Sequence, residues 1–319
     1  MSEEDEDGGG NGHEMSSLLL FPNLRQLTIE ECPSMKLFPP CPHVEELTLK
    51  GFNEELVFGE RIGRADNHNQ TSGLSTTTAS SGDTAADTGV ESVRVVPQVV
   101  ALKQLQIDNS GFMSRLPEES IQGLRDLKIS WSEEERLSTA EVFRSCASSL
   151  QFLEIEGCCE LKSLRGGGIQ HLTYLQTLTL SYCLELELED EDENGTPWNS
   201  LHNLSSLHLR NLPKVANLAK GIQFLTALHS LGIWNCSSLR ALPEWLGCLS
   251  SLRSLWLFSC NGLKSLPETM RDLTSLTRLK IVGCRRLNDR CRGPDGEDWP
   301  KICHVSNIIV KEHRWMFDW

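Results

Sequence analysis

The sequence predicts an α/β solenoid, a stack of short units that each lay one parallel strand into a common sheet. Three observations predict it. First, Leu228, Leu231, Ile233, Cys236, Leu239, Leu242 and Pro243 return 24 residues later as Leu252, Leu255, Leu257, Cys260, Leu263, Leu266 and Pro267. Leu276, Leu279, Ile281, Cys284 and Leu287 continue the same beat. Second, the central apolar-x-apolar triplet of each unit alternates with polar residues at period two, as a half-buried strand does. Third, later apolar residues such as Leu239 and Leu242 turn inward behind the strand, where only a neighbouring unit can cover them.

A period in the twenties with L-x-x-L-x-L-x-x-C/N spacing is the leucine-rich-repeat pattern, and it predicts a horseshoe. Units start at Leu24, Val44, Leu102, Leu124, Leu150, Leu175, Leu204, Leu228, Leu252 and Leu276, about ten by this count. The parallel sheet lines the concave face, and irregular or short helical segments form the convex side. An acidic tail is expected over 1–16, the first repeats over 17–58 and the main array over 93–287. A cap over 288–319 then closes the apolar stack. Residues 59–92 are rich in Gly, Ser, Thr, Ala and Asp and cannot bury enough apolar surface to offset ordering, so a disordered insertion is expected there. An acidic loop over 185–197 lengthens one unit to 29 residues.

Six units place Cys at the ladder position: Cys32, Cys158, Cys183, Cys236, Cys260 and Cys284. A thiol is small and readily buried, so these six are read as scaffold. No paired C-x-x-C ligand spacing occurs among the twelve cysteines, and neither a metal nor a cofactor is expected. The start MSEEDEDGGGNGHEM lacks an apolar h-region, and no apolar run reaches membrane-spanning length. A reducing, cytoplasmic setting is the expectation. The sequons at Asn69, Asn194, Asn203 and Asn235 would then stay unmodified.

The formal net charge is −14. Five acids in residues 3–7 and seven in the stretch Glu185 to Glu193 account for most of it. An acidic balance argues against nucleic acid, which is neutralised by clustered Lys and Arg. The residues within and just after each central triplet point onto the concave face. They are polar along most of the array and then become His208, Arg210, Trp234, Trp256, Phe258 and Lys280. Aromatics beside Arg match the composition of interaction hot spots, so these six form the expected partner-binding face. The competing account is that the C-terminal segment folds back and covers the rings, or that they merely pack along the sheet surface. Arg285, Arg286, Arg290 and Arg292 form a small basic cluster nearby, and the tail ending in Trp315, Phe317 and Trp319 is too aromatic to stay free.

The Cys-bearing repeat with its following Leu-Pro, as in Cys236 to Pro243 and Cys260 to Pro267, resembles the repeats of plant intracellular nucleotide-binding leucine-rich-repeat disease resistance proteins. The ending Gly296-Glu297-Asp298-Trp299-Pro300-Lys301-Ile302-Cys303-His304-Val305, followed by Asn307-Ile308-Ile309, resembles the terminal motif of their coiled-coil subclass. The resemblance covers roughly residues 17–319. It implies perception of a pathogen effector or of a host protein the effector alters, with the repeats also restraining a nucleotide-binding domain. No G-x-x-x-x-G-K-[ST] phosphate loop and no amphipathic N-terminal coiled coil occur here. The expectation is therefore the recognition half of such a receptor without its own switch.

A stand-alone adaptor or decoy acting outside defence is the alternative, weakened by the lack of a docking domain such as an F-box. An enzyme is not expected: Ser, His and Asp lack nucleophile-elbow, paired-carboxylate or metal spacing, and an open sheet encloses no pocket. A surface receptor is opposed by the missing signal peptide and by the absence of a Gly-x-Ile-Pro repeat ending. Partners are thus expected to be proteins, with no nucleic acid and no membrane span.

Overall fold

In a computed structural model, residues 21, 23–39, 41–53, 55–57, 101–133, 137, 139–188 and 197–312 are described. The acidic tail, the insertion over 59–92, residues 189–196 of the acidic loop and the aromatic tail beyond 312 lie outside them. The described chain is a leucine-rich-repeat solenoid, as the periodicity predicts. Its strands are β1 (Gln26–Glu30), β2 (Glu46–Lys50), β3 (Gln104–Ile107), β4 (Asp126–Ser130), β5 (Phe152–Glu156) and β6 (Thr177–Ser181). They continue as β7 (Ser206–Arg210), β8 (Ser230–Trp234), β9 (Ser254–Phe258), β10 (Arg278–Val282) and β11 (Asn307–Lys311). All eleven form one sheet in chain order. Every pairing is parallel and in register, so Leu231 faces Leu255, Leu255 faces Leu279 and Leu279 faces Ile308. The eleventh strand falls in the segment expected to act only as a cap.

Period-two burial holds along the strands. Leu207, Leu209, Leu231, Ile233, Leu255, Leu257, Leu279 and Ile281 are fully buried, while their outward neighbours are half-buried or exposed except for the buried Gly232 and Ser254. Returning chain is short, and Pro243 and Pro267 pre-set φ for the turn that follows. Single 3-10 segments therefore form at Glu244–Cys248 and Glu268–Asp272. Further 3-10 segments form at Gly111–Arg115, Ile169–His171, Trp198–Ser200 and Lys220–Phe224. The described residues also hold four short α-helices, α1 (Glu118–Ile121), α2 (Ala140–Ser145), α3 (Arg285–Cys291) and α4 (Trp299–Ile302).

Five of the six ladder cysteines are buried, whereas Cys32 in the first unit is exposed. Each inner thiol points at carbonyls: Cys260 Sγ lies 3.3 Å from Phe258 O and 3.5 Å from Ile233 O of the preceding unit. Cys284 repeats this with Leu257 O at 3.5 Å and Val282 O at 3.8 Å. The sulfur thus gives turn carbonyls a weak donor while staying small. Burial pushes the Cys236 thiol up to about 12, which suits a scaffold role and not a reactive one. Among the described residues no cluster of His, Cys, Asp and Glu could hold a metal, and no helix is long and apolar enough to cross a membrane.

One column escaped the sequence reading. The residue after nine of the strands has positive φ: Glu31, Gly51, Trp131, Gly157, Tyr182, Asn211, Asn235, Ser259 and Gly283. Eight of these nine donate the backbone N–H to the last strand residue of the next unit, as Asn235 does to Phe258 O and Ser259 to Val282 O. That bond fixes the left-handed turn whatever the side chain.

The C-terminal motif has a structural purpose. Asp298 is fully buried and accepts from Leu266 N at 2.9 Å, from Arg290 Nε and Nη2 at 3.0 Å each, and lies 3.0 Å from Lys301 Nζ. Lys301 Nζ also donates to Leu266 O at 2.6 Å. Burial raises the Asp298 pKa, yet Arg290, the Leu266 N–H and Lys301 outweigh it and hold the carboxyl below its ordinary value. This network staples α3 and α4 to the turn that follows β9. Of the four arginines read as a basic cluster, Arg290 pairs with Glu297 and Asp298, and Arg292 pairs with Glu312. Arg285 and Arg286 remain exposed.

Candidate functional site

The six predicted residues come together on the concave face of β7 to β10. Strand register places His208 beside Gly232, Gly232 beside Trp256, and Trp256 beside Lys280. One step along the strands, Arg210 neighbours Trp234, and Trp234 neighbours Phe258. The Trp234 indole folds back along its own strand over Gly232. A Cβ at Gly232 would stand 1.9 Å from that ring, so only glycine leaves the space. The ring wedges edge-on against His208 (centroids 5.5 Å apart, 63° between planes) and Trp256 (5.9 Å, 70°). His208 and Trp256 are parallel to each other within 7°, at 6.2 Å. Phe258 stacks on the other side of Trp234 at 5.9 Å. Edge-to-face and offset pairs of this kind contribute about 0.5–1.5 kcal/mol each beyond burial.

Cations sit on the cluster's margins. The Arg210 guanidinium carbon lies 4.7 Å above the Trp234 ring, and Lys280 Nζ lies 6.0 Å from the Trp256 centroid. His208 is held below its ordinary pKa, chiefly by burial and secondly by Arg210, and is neutral at physiological pH. His208 Nδ1 and Trp256 Nε1 are sealed from solvent and find no hydrogen-bond partner among the described residues. The aromatics are half-buried by one another. No described segment lies over them: the chain after α4 runs on as β11 beside β10.

Sequence reasoning followed two outward columns and missed a third, the first residue of each strand. That column adds Arg278 to the cluster's margin, and β11 adds Ile309 and Lys311. The signal was present in period two, two residues before the central position. Across the outward positions, β1 to β5 carry five acids (Glu30, Glu46, Asp126, Glu154, Glu156) and two lysines. Both lysines are paired, Lys50 with Glu30 at 2.9 Å and Lys128 with Glu154 and Glu156. Outward positions of β7 to β11 carry four cations (Arg210, Arg278, Lys280, Lys311) and no acid. None of these four makes an ion pair among the described residues. Residues 197–312 hold fifteen Lys and Arg against eight Asp and Glu, in a chain whose total is −14. The face is electrically bipolar, which the overall charge conceals.

A second aromatic feature lies at the edge. Trp131 is the most exposed large apolar residue described, at 61%, and Tyr182 follows two units on at 47%. Both occupy the left-handed column, which disfavours bulky side chains. The Trp131 ring covers Gly157, where a Cβ would come within 2.5 Å.

Residues 123–261 match the family model described as plant disease resistance protein RPS2-like, leucine-rich repeats. Over that span the units are similar to repeats of the plant resistance type. Among solved structures, the leucine-rich-repeat domain of the type III effector XCV3220 (XopL) overlaps at 25% identity, over 60% of this chain and 69% of that one, with a TM-score of 0.44. The TLR13–ssRNA13 complex overlaps at 13% identity, over 86% of this chain and 37% of that one, with a TM-score of 0.43. The plant peptide hormone receptor RGFR1 in complex with RGF2 overlaps at 19% identity, over 57% and 35%, with a TM-score of 0.34. No curated protein sequence matches the chain.

Proposed function

We propose that the protein is the recognition module of a plant immune receptor, reading a pathogen effector or a guarded host protein with the concave face of β7 to β10. The observation that carries this reading is the Trp234–Trp256–Phe258 cluster with Arg210 and Lys280 at its margins. Aromatic and Arg anchors grouped at the centre of a surface are what protein interfaces use for affinity. The similarity of residues 123–261 to plant resistance-type repeats supports the defence setting. Contact with a nucleotide-binding domain of the same receptor class, holding it inactive, belongs to the same proposal. All twelve cysteines are free thiols, which supports a cytoplasmic, reducing location.

The test is co-purification of co-expressed effectors and host proteins from plant leaf cells, comparing the wild-type chain with a Trp234→Ala/Trp256→Ala variant. The expected result is a defence-linked partner retained by wild type and lost with the variant, whose circular dichroism stays that of a folded solenoid. A partner retained equally by the variant overturns the site. Partners confined to processes unrelated to defence overturn the immune reading.

A further inference from the structure

We infer that the concave face of β7 to β11 takes an acidic peptide segment with an apolar residue between its carboxylates. This deepens the protein-recognition reading and rests on it. An apolar strip, Trp234, Trp256, Phe258, Val282 and Ile309, runs across β8 to β11 at the outward positions. Arg210 bounds it on one side, and Arg278, Lys280 and Lys311 bound it on the other. Nothing described neutralises these cations, whereas the outward lysines of β1 to β5 are paired. A cation left unpaired beside a desolvating aromatic surface gains most from an incoming anion. Arg210 already has one guanidinium face on Trp234, which leaves its N–H edge to take a carboxylate in bidentate fashion.

Spacing sets the ligand pattern. Arg210 on β7 and Lys280 on β10 are three strand spacings apart across the sheet, ~14 Å, and two residues apart along it, so their backbones are ~16 Å apart, a difference their long side chains can span. An extended peptide laid across the strands spans ~14 Å from residue i to residue i+4. Carboxylates at i and i+4 therefore reach both cations while the side chain at i+2 meets the aromatic strip. A nucleic acid strand suits the face less well. Its phosphates would run onto the acids of β4 and β5, and the ring faces that bases would stack on are taken up by Phe258 and His208.

The experiment measures fluorescence anisotropy of the full chain with a fluorescein-labelled nine-residue peptide carrying Glu at i and i+4 around a central Phe. Companion probes replace both Glu by Gln or by Lys, and a fluorescein-labelled twelve-residue oligouridylate is the nucleic-acid arm. Binding of the Glu peptide is expected to fall at least tenfold with the Gln peptide, with raised salt, and with the variant Arg210→Glu/Lys280→Glu. That variant is expected to gain binding of the Lys peptide, a result that misfolding cannot produce. Reversal of the exposed cations Arg240 and Lys264, which lie off this face, is expected to leave binding unchanged. Equal binding of the Glu and Gln peptides, indifference to the double reversal, or tighter binding of oligouridylate overturns the inference. If the acidic peptide fails while partner capture still depends on Trp234 and Trp256, only the charge inference falls and the recognition reading stands.

Discussion

At the scale of single residues, two side chains decide how the aromatic cluster is held. Gly232 is the floor on which Trp234 rests, and a methyl group there would meet the indole at 1.9 Å. Gly232→Ala is expected to force the ring off the sheet, costing about 1–3 kcal/mol of strain. Its signature is loss of the near-ultraviolet circular dichroism of the coupled indoles with far-ultraviolet signal intact. An unchanged near-ultraviolet spectrum would show that the rings are not held against one another. His208 is the second. Its folded pKa lies below the unfolded value of 6.5, with burial as the main cause and Arg210 as the lesser one. Between those two values the unfolded chain binds a proton that the native state refuses, so the unfolded state gains. The contribution of His208 to stability is complete above about pH 6.5 and declines as pH falls through the window below it. Urea midpoints taken from pH 7.5 to 5.5 are expected to decrease more steeply for wild type than for His208→Gln. Parallel profiles would show that His208 is not titrating between the states.

At the scale of elements, the cap is the part where one substitution does most. Asp298 is fully buried between Arg290 and Lys301, and removing it takes away their one buried acceptor. Arg290 is left with the exposed Glu297, Lys301 with the exposed Glu268 and the Leu266 carbonyl, and the Leu266 N–H without its acceptor. Asp298→Ala is expected to cost about 3–5 kcal/mol, read from the denaturant midpoint, because it removes the buried carboxylate that two cations share and leaves a buried N–H unsatisfied. A loss under about 1 kcal/mol would mark the network as an ordinary surface cluster. The strands themselves were legible in the sequence because their signal is local. Leu231, Ile233, Leu255 and Leu257 announce both the element and its buried face through a two-residue alternation repeated every 24 residues. The six site residues could be placed on the face for the same reason, since outward positions follow once inward ones are known. What stayed hidden depends on contacts between units. Gly232 looks like a weak point in a strand until Trp234 is seen lying on it. The left-handed column contains Glu31, Trp131 and Tyr182 as readily as Gly157, because a backbone bond to the next unit sets φ there. Asp298 and Lys301 belonged to a recognisable motif, yet only the fold shows them reaching back 32 and 35 residues to Leu266. β11 was missed because Asn307–Lys311 reads as a plain apolar run without the leucine frame around it.

At the scale of the whole molecule, a solenoid's stability is the sum of unit and interface terms, so each strand is protected according to its neighbours. The two ends of this sheet are not equivalent. At the first unit Leu27 is only partly buried, Cys32 is exposed, and Phe21 and Leu37 stand 45% and 49% open to solvent. At the other end β10 is covered by β11, and α3 and α4 are locked down by the Asp298 network. Each central leucine from β6 to β10 is fully buried between two neighbours. Opening such a unit costs two interfaces, whereas opening β1 costs one. Native-state hydrogen exchange read by mass spectrometry is therefore expected to rank β6 to β9 slowest, β10 and β11 close behind, and β1 and β2 fastest. The aromatic cluster then lies on the most rigid stretch of the sheet, where ordering on binding costs least. Asp298→Ala is expected to raise exchange in β10 and β11 sharply, in β9 modestly and in β1 to β5 not at all. A uniform rise along all eleven strands would mean that the array unfolds as one cooperative block, and the nearest-neighbour account would fail.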